Sequence, residues 1–214
     1  MKNKPQNGAQ ELRAFSMPDL QANETGNTVE GHAAVFGNTY DMYWYTETVA
    51  RGAFDKTDLT DVLFSVNHDL KSIPLAHSRN NNAKSTLQLQ VDDVGLATRS
   101  VLDIENNSNA KALYGSIQRG DINAMSFIFT VRNDEWTGLD TDKPNRTITD
   151  IAKVYEVSAV SMPANPDTDI NARSQSELDS SKGVLDSARA KVGELAEQRE
   201  IEILKLKTEI LMKG

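Results

Sequence analysis

Between Glu11 and about Arg173 the chain alternates apolar and polar positions or runs briefly apolar, with Gly, Asn and Asp as punctuation. TVEGHAAVF, TLQLQV, GLATRSVLDI, INAMSFIFTV, RTITDIAKVYEV and VSAVSM are the clearest such runs. Alternate side chains of an extended chain point to opposite faces, so this pattern predicts a β-rich region. In INAMSFIFT, Met125, Phe127, Phe129 and Val131 fall with Asn123 on one face, while Ala124, Ile128 and Thr130 fall with Ile122 and Ser126 on the other. A strand apolar on both faces is covered on both, which makes this run central in its sheet.

Two stretches carry a helical pattern instead. One surrounds Ala53 and Phe54, just after Arg51-Gly52. The other is Asn109–Arg119, where Ala112, Leu113, Ser116 and Ile117 share a face and Gly120 supplies a stop. Past Pro163, Pro166 and the Asp-Thr-Asp run the composition changes: Ser176 to Lys213 holds neither Pro nor an aromatic residue. There Leu185, Ala188, Val192, Leu195, Ile203, Leu206 and Ile210 follow spacings of three and four, interrupted near Arg199 and Glu202. The pattern predicts a long helix with an imperfect coiled-coil seam, weakened at Gly183 and Gly193 by about 1 kcal/mol each. The division expected is a flexible lead-in over 1–10, one folded domain over 11–173 and a helical tail over 174–214. The class is α+β, mainly β.

Three strand-like runs each set a polar group where a core residue belongs. VLFSVNHD puts His68 in line with Val62, Phe64 and Val66; INAMSFIFT buries Ser126; VYEVSAVSMPANP sets Glu156 between Tyr155 and Val157. Each is unfavourable to bury alone, and together they compose one hydrogen-bonded hydroxyl–imidazole–carboxylate relay. Blander readings stand beside this one. Ser126 has no GxSxG elbow around it and fits as a small core residue bonded to a backbone carbonyl. His68, between the turn-formers Asn67 and Asp69, fits as a strand-end histidine, and Glu156 as the partner of Lys153 or of an arginine. Asp69 is a second candidate carboxylate, but strand alternation aims it away from His68. His77 lies in a polar loop and faces solvent or substrate, and His32 is structural.

Composition narrows the chemistry further. The chain has 214 residues, 38% hydrophobic and 25% charged, with a net charge of −8 and no basic block, which disfavours direct nucleic-acid binding. It has no Cys, and its three His lack close ligand spacing, so neither a metal nor an organic cofactor is expected. No apolar stretch is long enough to span a membrane, and MKNKPQNGAQ lacks the apolar region of a signal peptide, so a soluble protein retained in the cell that makes it is expected.

The segments GHAAVFGN, ETVARGAF, VLFSVNHDLKSIPLA, GLATRSVLD, IQRGDINAMSFIFTV, Trp136 and EVSAVSMPANPDTDINAR, in this order and spacing, resemble the prohead (capsid maturation) proteases of tailed bacteriophages of the HK97 type. The resemblance covers about residues 11–173. It implies an assemblin-like closed β-barrel with surrounding helices, and a serine endopeptidase with Ser126 as nucleophile and His68 as general base. Glu156 then takes the place that a second imidazole holds in assemblin. The implied partners are the major capsid protein and scaffold segments, cleaved inside the assembling prohead in the host cytoplasm. Self-cleavage and homo-oligomerisation are also implied, with SMPANPDTDINARSQS as a candidate self-processing stretch. The tail would pair with helical scaffold segments or dimerise the chain. One departure is that Ala76 and His77 follow Pro74-Leu75 where relatives carry Gly and a basic residue. Oxyanion donors stay open between backbone N–H groups and an arginine such as Arg79 or Arg132. Two other classes remain: a non-catalytic scaffolding or assembly protein on a protease-like core, and an esterase using the same relay.

Overall fold

A computed structural model describes residues 10–15, 19–24, 26–161 and 175–213. Along the chain come β1 (Glu11–Phe15), β2 (Gln21–Ala22), β3 (Thr28–Val35), β4 (Thr39–Asp41), β5 (Thr46–Val49), β6 (Leu63–Val66), β7 (Ala76–His77), β8 (Leu87–Val91) and β9 (Gly95–Val101). Helix α1 (Ser108–Gln118), β10 (Ala124–Thr137), β11 (Asn145–Val160) and helix α2 (Gln175–Lys213) complete it. The lead-in over 1–9 and most of the expected self-processing stretch, 162–174, lie outside the described residues.

The strands form two sheets. One has seven strands in the order β1-β10-β11-β5-β4, with β6 also paired to β11 and β7 to β6; the other is β2-β3-β9-β8. No closed ring of strand pairing is found among the described residues, and the pairing does not bear out the closed barrel that the resemblance implies. The mainly β class and the long C-terminal helix are as expected.

The longest strands, β10 and β11, run antiparallel along each other and organise the large sheet. On its other edge β11 takes β5 along its first residues and β6 along its last, both parallel. From Ala124 to Thr130 every residue of β10 is buried, as the two-faced apolar run required, whereas its second half alternates with solvent. The site lies at the buried end. Phe127 stacks on Phe129 at 4.3 Å, and Phe54 and Phe36 extend the aromatic core toward the second sheet. Between the paired strands β3 and β9, a Cβ on Gly95 would lie 2.0 Å from the Ala34 carbonyl oxygen, so only glycine fits.

The segment around Ala53 and Phe54 is a series of turns, not a helix. Both side chains are buried, but the Ala53 carbonyl accepts from Ile151 N–H at 2.8 Å, and Thr57 donates its hydroxyl to the Ile151 carbonyl at 2.8 Å. Those bonds satisfy the free edge of β11 between β5 and β6, which a helix with internally paired backbone could not do. Helix α1 is where the pattern placed it. Asn107 caps it, its side chain accepting from Asn109 and Ala110 N–H groups, and Gly120 follows with φ 77°. Its buried face is Ala110, Leu113, Tyr114 and Ile117. Ala110 and Tyr114 thus take the place of Ala112 and Ser116 in the expected stripe: the Tyr114 hydroxyl reaches the Asn23 carbonyl and its ring packs in the core.

Helix α2 is not a free tail along its whole length. Ser181 and Leu185 are buried, and Arg189 donates to the Leu139 and Thr141 carbonyls at 3.1 Å each. Farther on, Leu195, Ile203, Leu206 and Ile210 are exposed, so only the first part of the seam is packed on the body.

Candidate active site

Three serines stand abreast across the sheet. The register pairs Ser126 of β10 with Ser158 of β11, and Ser158 with Ser65 of β6. Partners in register share a face, so the three hydroxyls line one side of the sheet. Glu156, two residues before Ser158 on the same strand, faces the same way. The opposite side carries Phe127, Val157 and Phe64, all fully buried in the core.

His68 reaches this row by leaving the strand. Strict alternation would put it with Phe64 and Val66 on the core side. β6 stops at Val66, and Asn67 and His68 then adopt φ 51° and 59°, a left-handed pair that turns the chain back over the serine face. Such φ values are uncommon outside glycine and are held here from both sides. Asn67 N–H donates to the Ala159 carbonyl at 3.0 Å and its side-chain oxygen accepts from Ser161 N–H at 3.0 Å. His68 N–H donates to Ser158 Oγ at 3.0 Å.

The imidazole so aimed lies 2.6 Å through Nε2 from Ser126 Oγ and 2.7 Å through Nδ1 from Glu156 Oε2. The three polar groups that stood out in the apolar text are thereby brought into one hydrogen-bonded line. Glu156 is 1% exposed, and its other oxygen accepts from the hydroxyls of both Ser65 and Ser158. Those two hydroxyls lie 2.7 Å apart. Neither serine was singled out from the sequence, although a hydroxyl two residues from a buried strand carboxylate must share its face.

Ser126 itself is fully buried, and its Oγ also lies 2.7 Å from the Arg13 carbonyl of β1. A hydroxyl has one proton. Donated to the carbonyl, it leaves Nε2 as the donor to Oγ; donated to Nε2, it leaves the carbonyl without it. Of the rival partners, Lys153 binds Asp58 at 2.6 Å instead of Glu156. Asp69 turns outward to Lys71 N–H and the Ser72 hydroxyl, and among the described residues its side chain makes no bond to His68. Arg132 is paired with Asp150 at 2.6 Å. Among the described residues neither Arg132 nor Arg79 is bonded to the three-residue line. His77 belongs to the short strand β7, not to a loop, and its Nε2 is 3.6 Å from Asp61. His32 is held between Asp19 and Asp92, at 2.5 and 3.0 Å. A cavity of about 290 Å³ adjoins the Ser65 end of the row, its lining mixed: Asp69, Ser72 and Asn109 beside Ile73, Leu75 and Leu113 among others.

On the opposite face of the large sheet lies a second, largely buried polar cluster, contributed by β1, β5, β10 and β11. Arg13 donates to Glu47 from Nε and Nη2, at 2.5 and 2.9 Å, and to Glu11 at 2.5 Å. Arg146 donates to Glu11 at 2.5 and 2.8 Å, to Glu47 at 2.9 Å and to Asp134 at 2.7 Å. Burial works against the charged form of Arg13, but Glu47, Tyr45 and Glu11 outweigh it and raise its pKa above the ordinary arginine value. Burial would likewise raise the carboxyl of Glu47, yet the two guanidiniums hold it below its usual range. Tyr45 is pushed up by burial. The strand pattern gave no sign of this cluster, since charges alternating with apolar residues read as the solvent face.

No group of His, Asp and Glu suited to a metal ion occurs among the described residues. No curated protein and no solved structure matches the chain. A family does: residues 15–182, which include every member of the serine–histidine–glutamate line, match the caudovirus prohead serine proteases, and the chain belongs to that family.

Proposed function

We propose that this chain is a serine endopeptidase acting on scaffold and capsid proteins, and on itself, inside the assembling prohead in the host cell. The observation that carries the reading is the continuous line from Ser126 Oγ through both nitrogens of His68 to Glu156. Nε2 takes the Ser126 proton as Oγ bonds to the substrate carbonyl carbon, and the imidazolium returns that proton to the leaving amine as the C–N bond breaks. Water then gives a proton to Nε2 and attacks the acyl-enzyme ester; the acid product leaves and Ser126 regains its proton. Glu156 keeps Nδ1 protonated and stabilises the imidazolium. Family membership supports the capsid-maturation setting, and a shell concentrates the enzyme with its substrates. Ser126 is closed to solvent here, so binding of a peptide has to uncover it, and the cavity beside Ser65, of mixed polar and apolar lining, is suited to one of the peptide's side chains.

The decisive experiment is mass spectrometry of the same phage's major capsid protein after co-expression with wild type or with Ser126→Ala. Defined cuts with wild type and none with the variant are expected. An intact capsid protein in both cultures would overturn the reading in favour of a non-catalytic assembly protein. Turnover of esters alone would favour the esterase.

A further inference from the structure

Ser158 and Ser65 take no part in the bond-making steps, yet both are buried against Glu156. We infer that they are positioning residues for the proposed reaction: a two-hydroxyl cradle that fixes the Glu156 carboxylate and, through Ser158, the backbone of the histidine as well. The inference rests on the relay reading above and names what holds that relay in shape.

Ser158 is placed to do two things with one oxygen. Its proton goes to Glu156 Oε1, and its lone pair takes the N–H of His68 at 3.0 Å. That N–H belongs to a residue at φ 59°, an unfavourable conformation that needs an external anchor. One hydroxyl thus ties the start of the imidazole to the carboxylate that the imidazole must meet. Ser65 bonds the same Oε1 and lies 2.7 Å from Ser158 Oγ, so it limits rotation of both groups. With Oε1 held by two hydroxyls, Oε2 is the oxygen left for Nδ1, at 2.7 Å. A carboxylate oxygen accepts but cannot donate, so the hydrogen on that bond must sit on Nδ1, and Nε2 is left free to accept from Ser126. Small strand hydroxyls suit this role because they add little volume to a row packed between three strands.

The test uses a fluorophosphonate, which phosphonylates an activated serine and needs no peptide substrate. Second-order labelling of Ser126 should fall about ten- to a hundredfold in Ser158→Ala and less in Ser65→Ala, the scale of hydrogen bonds to a charged group. Ser158→Thr, which restores a hydroxyl, should recover most of the rate. A second readout is independent of labelling. In a Ser126→Ala background, proton NMR should show the His68 Nδ1–H as a far-downfield resonance, moved or broadened by Ser158→Ala at an unchanged melting temperature. If Ser158→Ala unfolds the chain, Ser65→Ala carries the same comparison. Wild-type rates and an unmoved resonance in the folded serine variants would overturn the inference while leaving the relay intact. A wild-type chain that fails to label, with the resonance present and sensitive to Ser158, would defeat the nucleophile reading and leave the cradle standing.

Discussion

Two buried polar clusters lie on opposite faces of the large sheet, and they are built on different principles. On the core side, Arg13, Arg146, Glu11 and Glu47 are charges matched against charges, with several hydrogen bonds on each guanidinium. On the other side, Ser126, His68 and Glu156 are joined end to end by single hydrogen bonds through one imidazole. The first arrangement has no slack: moving any proton would strand a charge in a medium that solvates it poorly. The second is a path along which a proton can shift without breaking the packing. The two share β1, whose Arg13 side chain enters the charge cluster while its carbonyl touches Ser126 Oγ. Under the proposed function the contrast gives stability to the ionic cluster and reactivity to the relay, and substitutions can separate them.

The largest effect is expected at Glu156. In Glu156→Gln the amide oxygen can still accept from Ser65 and Ser158, which turns the NH₂ toward Nδ1. The imidazole must then accept there and carry its proton on Nε2, where it cannot serve Ser126. Fluorophosphonate labelling and capsid-protein cleavage should drop by about a thousandfold or more, with a small change in thermal stability. Retained labelling would remove Glu156 from the relay.

Next comes Glu47→Gln, which leaves two buried guanidiniums short of a counter-charge. A loss of about 3–5 kcal/mol is expected, equivalent to a melting temperature lower by roughly 6–20 °C. Labelling below the transition should be nearly normal. Because the guanidiniums depress the Glu47 carboxyl in the folded chain, its contribution is complete above the usual glutamate range and is lost as pH falls through the depressed value. Wild type should therefore lose its advantage over the variant in acid. Equal stability of the two at neutral pH would show that the cluster contributes nothing net.

The smallest effect belongs to Asp58, which is bonded to Lys153 and Thr60 on the surface and lowered by them from 3.8 to about 2. Its side chain is about half exposed, so screening keeps the gain below about 1 kcal/mol. The folded value is depressed, so the gain should be present above about pH 4 and vanish as pH approaches 2. Urea midpoints of wild type and Asp58→Asn across that window measure it. A difference that persisted at pH 2 would contradict the assignment.

Much of the site was legible because it breaks a pattern. Ser126 and Glu156 interrupt apolar strands, and a polar group in such a place needs a partner. His68 was found for a partly different reason from the one that places it. Alternation continues the face of Val62, Phe64 and Val66 to His68, whereas the left-handed turn at 67–68 carries it to the other side. Ser65 and Ser158 passed unnoticed because a serine in a strand is unremarkable until its neighbours across the sheet are known. The turns at Ala53 and Phe54 resembled a helix for a similar reason: what they bond to is a strand about a hundred residues later.

By itself the sequence determined which segments extend, where α1 and α2 run, which residues had to be covered and which polar groups demanded partners. Those are properties of local period and solvation, and each residue carries them along the chain. Only the tertiary structure decided which strands pair and in what register, and hence that three serines align and that Arg13 and Arg146 face inward. Register and long-range charge pairing are relations between distant segments, and no local pattern encodes them.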